Sequence, residues 1–67
     1  MFKKGDKIIW DSGFYFSTGT YIEPSFEMYD HDHIVLLKEG REISVRNCEI
    51  FPIEDLQRIK EKYNVNN

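Results

Sequence analysis

The run Asp30-His31-Asp32-His33 gathers the densest set of chemistry-capable side chains in this 67-residue chain. On an extended strand His31 and His33 project to one face, where two imidazoles two residues apart could share a metal ion. Asp30 or Cys48 could supply a third ligand. A structural zinc site takes four, so the set falls short, and two surface histidines leading into a strand account for the same residues. We expect no metal and no cofactor. The same carboxylates and imidazoles could polarise a water. Nothing in the sequence organises a nucleophile or an oxyanion hole beside them, and a chain this short leaves little room for a deep pocket. The expectation is a protein that is not an enzyme. Cys48 stands between Asn47 and Glu49 with no adjacent base to stabilise a thiolate, which predicts a small core residue.

Charge adds a second constraint. The net charge is −3, from nine Lys and Arg against twelve Asp and Glu. Four of those acids, Glu23, Glu27, Asp30 and Asp32, fall in one stretch that holds no Lys or Arg. A locally acidic loop repels phosphate and attracts basic protein surfaces. The bases Lys3, Lys4, Lys7, Lys38, Arg41 and Arg46 are dispersed in sequence. Together they would make a second patch on the side away from the acids, and the acidic total opposes strong phosphate binding.

Aromatic residues make up 15% of the chain. Each buries roughly 150–250 Å², which helps a small domain build a core. About half of Trp10, Phe14, Tyr15, Phe16, Tyr21, Phe26 and Tyr29 must be core. The rest gather near the loop after Trp10 and the acidic stretch. Phe14-Tyr15-Phe16 cannot all point inward on an extended backbone, and Tyr15 is the one expected to face solvent.

The elements that must position these residues are short. Gly5-Asp6 is a turn, and Phe2 before it can lie on the core as a lid. Lys7 to Trp10 predicts a strand with Ile8 and Trp10 on one face and Ile9 on the other. Asp11-Ser12-Gly13 predicts a turn, and Ser17-Thr18-Gly19 a break. Thr20 to Glu23 predicts a strand ended by Pro24-Ser25, because Pro cannot donate to a central ladder. Phe26 to His31 is expected as a loop. Ile34-Val35-Leu36-Leu37 is apolar on both faces and predicts a central strand covered on two sides. Lys38 to Arg41 predicts a hairpin turn with Gly40 at positive φ. Glu42 to Arg46 alternates as a half-buried strand. Asn47-Cys48-Glu49 is expected as one turn of 3₁₀ helix before a last strand at Ile50-Phe51. Pro52 to Tyr63 predicts the helix, with Ile53, Leu56, Ile59 and Tyr63 on one stripe and Glu54 paired with Arg58. That stripe is expected to cover an open edge or end of the barrel or to form a dimer face, so monomer and homodimer both remain open.

The length allows one domain over residues 1–67, with strands across about 6–51 and a helix across about 53–63. One cysteine permits no internal disulfide and fits a reducing compartment. No apolar run reaches the ~18 residues of a membrane span, and MFKKGDK lacks the apolar stretch of a signal peptide. A cytoplasmic protein is expected.

Five short strands, a tight central hairpin and a short turn before the last strand resemble a small SH3-like barrel. The opening, GDKIIW followed by Gly13 and then GTYIE, resembles a KOW-type arrangement over Gly5 to about Glu23. The resemblance implies a mainly β, five-stranded antiparallel barrel with a C-terminal α-helix. It also implies either protein or nucleic-acid binding. KOW-type modules that bind nucleic acid carry bases between the first two strands, whereas Asp11 to Gly19 holds an acid, three aromatics and no base. The short Lys/Asn/Ile-rich chain also resembles small phage-encoded products. The leading expectation is a non-enzymatic module that binds and modulates a protein partner, as a phage protein would a host factor. Its contact residues would be Tyr15, Phe16, Phe26, Glu27, Tyr29, Asp30 and Asp32. The alternative is a KOW-like nucleic-acid-binding module using Lys3, Lys4, Lys7, Arg41 and Arg46.

Overall fold

A computed structural model describes residues 2–28 and 31–63, without the side chains of residues 26–28 and 31. The chain is mainly β. Strands β1 (Lys7–Asp11), β2 (Phe16–Met28), β3 (His31–Leu37), β4 (Glu42–Val45) and β5 (Ile50–Pro52) form one antiparallel sheet in the order β4-β3-β2-β1-β5. No hydrogen-bonded ladder joins β4 to β5 among the described residues, so the sheet is not closed by hydrogen bonds. The 3₁₀ turn Asn47–Glu49 links those two strands. A second 3₁₀ turn, Ile53–Asp55, leads into helix α1 (Leu56–Tyr63).

The core follows from alternation along these strands. Ile8, Tyr21, Val35, Leu37, Val45 and Ile50 are buried together, with Phe2, Trp10 and Ile43 packed against them. Phe2 does lie on the core, its ring stacked on Tyr21 at 5.5 Å. Alternation puts Ile9 on the opposite face of β1, and it too is fully buried. Helix α1 covers that face. Ile59 is buried, Tyr63 packs on Phe16 at 5.6 Å, and the Arg58 guanidinium sits 5.7 Å from the Phe51 ring centre. The strand fully covered on both faces is therefore β1. β3, expected in that role, buries Val35 and Leu37 but leaves Leu36 38% exposed.

Two predicted breaks are absent. Ser17, Thr18 and Gly19 lie inside β2, paired with Trp10, Ile9 and Ile8. Gly19 is there because the neighbouring strand passes too close for a side chain: a Cβ would stand 2.5 Å from the Leu36 carbonyl oxygen. Pro24 does not end β2 either; it sits opposite His33, and the strand runs on to Met28 with irregular register at Tyr21/Glu23 and Pro24/Met28. β1 pairs only as far as Thr20, so beyond that point one edge of β2 has no neighbour in the sheet and the missing N–H of Pro24 costs no ladder bond. The hairpin at Gly40 (φ +96°) and the 3₁₀ turn at Asn47 form as expected. In the helix, Arg58 pairs with Asp55 at 2.9 Å, one turn position away from the expected Glu54.

Candidate functional site

The 3₁₀ turn Asn47–Glu49 draws three segments together. On one side it meets the start of β3. The Asn47 backbone N–H donates to Asp32 Oδ2 at 3.0 Å, and Asn47 Oδ1 lies 2.9 Å from His33 Nε2. A carbonyl oxygen can only accept, so Nε2 is the donor in that pair, and in the neutral imidazole Nδ1 is left to accept from the Tyr21 hydroxyl at 2.9 Å. Burial, with Glu23 adding to it, pushes the Tyr21 phenol up, which keeps that hydroxyl a donor. On the other side Glu49 Oε1 accepts from the Arg46 backbone N–H at 3.1 Å and, weakly at 3.5 Å, from the Trp10 indole N–H. Trp10 meets Tyr15 edge to face, with centroids 5.6 Å apart.

The β1–β2 turn beyond Trp10 is locked by short polar bonds. The Ser12 N–H donates to the Tyr15 carbonyl at 3.0 Å, and the Ser12 hydroxyl accepts from the N–H groups of Phe14 and Tyr15 at 3.2 Å each. The Gly13 N–H donates to Asp11 Oδ1 at 2.9 Å. This turn lifts Phe14 to the apex, 91% exposed, with Tyr15 beside it at 50%. Alternation on an extended backbone puts only Tyr15 outward; the turn expected at Asp11-Ser12-Gly13 carries on through Phe14, so Phe14 faces solvent as well.

The expected contact residues divide accordingly. Tyr15 and Asp32 are brought to two sides of the 3₁₀ turn. Phe16 faces the helix, half-buried against Tyr63. The side chains of Phe26 and Glu27 lie outside the described residues, as do Tyr29 and Asp30. Of the metal candidates, His33 has both ring nitrogens engaged by protein groups, and the His31 side chain is outside the described residues. Among the described residues no three His, Cys, Asp or Glu side chains converge as metal ligands. Cys48 is not a core residue. It is exposed, because the 3₁₀ turn points it outward, and with Asp32, Arg46 and Asn47 it lines a shallow hollow of ≈ 340 Å³. Arg46 lines that hollow, Lys7 lines a groove beside helix α1, and Arg41 pairs with Glu39 at 3.4 Å.

Asp11 is the buried charge nearest this site, only 7% exposed. Lys62 Nζ lies 2.7 Å from its Oδ2, and the Tyr63 hydroxyl donates to its Oδ1. Burial pushes the carboxyl up. The hydrogen bonds from Lys62, Tyr63 and Gly13, with the Lys62 charge, outweigh that and hold it below its ordinary value. Asp11 thus ties the aromatic turn to the end of the helix.

Neither a family model, nor a curated protein, nor a solved structure matches this chain. No helix among the described residues is long and apolar enough to cross a membrane.

Proposed function

We propose that this protein is a non-enzymatic protein-binding module built on an SH3-like barrel. It engages its partner through the aromatic turn Phe14-Tyr15 and the neighbouring 3₁₀ turn. The observation that carries the reading is Phe14, 91% exposed on a turn whose backbone is fixed by Ser12 and Asp11. A large apolar ring held in water on a rigid turn contributes nothing to folding and suits an interface anchor, since little conformational entropy is lost on binding. Tyr15 widens the anchor. Asp32 and the free Glu49 oxygen offer acceptors to a Lys or Arg on the partner, whose cation could also rest on the Trp10–Tyr15 rings. Support for the SH3-like reading comes from the pairing of β1 with β5 and the 3₁₀ turn before the last strand. An exposed unpaired Cys48 suits a reducing, cytoplasmic setting. A phage origin with a host factor as partner rests on composition alone.

The test is affinity capture from a lysate with the wild type and with Phe14→Ala as paired baits. Phe14→Ala is expected to leave stability within about 0.5 kcal/mol, as for other surface changes. Loss of the anchor should weaken the captured partner by about 30-fold, the effect of removing a 2 kcal/mol hot spot. Equal capture by both baits would refute the assignment of Phe14. The KOW-like nucleic-acid alternative is separated by a gel-shift series. The expected result is no complex with DNA or RNA, and a complex that weakens steeply with salt would favour the alternative.

A further inference from the structure

We propose that the groove between helix α1 and the β2–β3 ladder is a second docking site, for an acidic peptide segment with a Leu or Phe anchor. This face is distinct from the aromatic turn and does not depend on it. The groove encloses ≈ 540 Å³, within the range of about 300–1,000 Å³ usual for ligand clefts. Leu36, Ile53 and Leu56 give it an apolar wall, and Gly19 lies too close to the Leu36 carbonyl to carry a side chain into it. Leu36 is the exposed large aliphatic residue here, at 38%.

Charge decides the occupant. Among the described residues Lys7 and Lys38 are the only charged ones lining the groove, and neither belongs to an ion pair there. An apolar wall lined also by two lysines without ion-pair partners complements a peptide that carries carboxylates beside an apolar side chain. Nucleic acid fits less well, because among the described residues no aromatic ring lines the groove to stack a base and the chain as a whole carries −3.

The experiment uses the whole chain, isotopically labelled, and two synthetic probes: a short peptide bearing Leu and Phe flanked by Asp and Glu, and the same peptide with Asn and Gln in place of the acids. The acidic probe is expected to shift the amides of Thr18 to Thr20, Leu36 to Lys38 and Ile53 to Leu56. The neutral probe should bind at least tenfold more weakly. Leu36→Thr, an exposed position that keeps a strand-forming residue, should weaken the acidic probe by a similar factor without altering the rest of the spectrum. Lys7→Gln with Lys38→Gln should remove its preference over the neutral probe. The proposal is overturned if neither probe shifts these amides at millimolar concentration, or if both bind equally. It is likewise overturned if the shifts fall on Phe14 and Tyr15, if a single-stranded oligonucleotide competes for the same amides, or if dilution of the protein alone reproduces the shifts, which would make the occupant a second copy.

Discussion

Gly19→Ala lowers the melting temperature by roughly 4–24 °C. In most strands this exchange stabilises, because Gly is worse than Ala by about 0.5–1 kcal/mol in a regular element. Here the sign reverses. The new Cβ would stand 2.5 Å from the Leu36 carbonyl oxygen and 3.1 Å from both the Leu36 carbonyl carbon and the Leu37 Cα. All three are backbone atoms of the paired strand, so no side chain can swing away and the β2–β3 ladder itself must move. Overpacking of this kind costs about 1–3 kcal/mol. A two-layer domain of this size has only about 0.05–0.15 kcal/mol of stability per residue in reserve. Each kcal/mol is worth about 4–8 °C in a domain of 60–100 residues, which sets the expected shift. Gly40→Ala is the control. A Cβ there meets nothing within 4 Å, and only the positive φ opposes it, at about 1–2 kcal/mol. Thermal melts of the two variants measure both losses. A Gly19→Ala protein as stable as the wild type would mean that the strands do not approach so closely.

Gly19 also marks where the sequence stops being readable. Lys7 to Trp10, the Gly40 hairpin, the 3₁₀ turn and the helical stripe through Ile59 and Tyr63 are local patterns, set by residues a few positions apart. They were legible for that reason. Ser17-Thr18-Gly19 looked like a break because small polar residues and Gly disfavour strands locally. What keeps them in β2 is β1 on one side and Leu36 on the other, neither of which is near in sequence. Pro24 survives for a similar reason, since the edge it faces is unpaired. The site was half legible. Exposed aromatics after Trp10 were expected, and Tyr15 is one. Phe14 was missed because its exposure depends on a turn geometry set by the Ser12 hydroxyl. Cys48 was misread because small apolar character does not reveal which way a single 3₁₀ turn faces. The face that Leu36 leaves open could not be read from Ile34-Val35-Leu36-Leu37, because the helix settles over Ile9 and not over β3.

Asp11 was read from the sequence as a turn residue only, and it carries the second large effect. Asp11→Ala is expected to cost about 2–3 kcal/mol, the usual range when hydrogen bonds to a charged, buried group are lost. It removes at once the acceptor for the Gly13 N–H, the Tyr63 hydroxyl and the Lys62 ammonium. The aromatic turn and the end of α1 therefore loosen together. Lys62→Ala should do less, because its side chain is 55% exposed and water replaces the carboxylate. The pH dependence follows from the directions of the shifts. The folded Asp11 carboxyl lies below its unfolded value, so its contribution is complete above the unfolded pKa of about 3.9 and is lost as pH falls through the folded value. Lys62 and Tyr63 are both raised, chiefly by hydrogen bonding to Asp11. Their contribution is complete below their unfolded values of about 10 and is lost as pH rises through the folded ones. Asp11→Asn isolates the acid limb, since it keeps an oxygen for Tyr63 and Gly13 but no charge. The gap in melting temperature between wild type and Asp11→Asn should hold steady at neutral pH and narrow below about pH 4, where the wild-type carboxylate takes up its proton. A gap that stayed constant through that range would show that the charge of Asp11 does not hold the helix to the sheet.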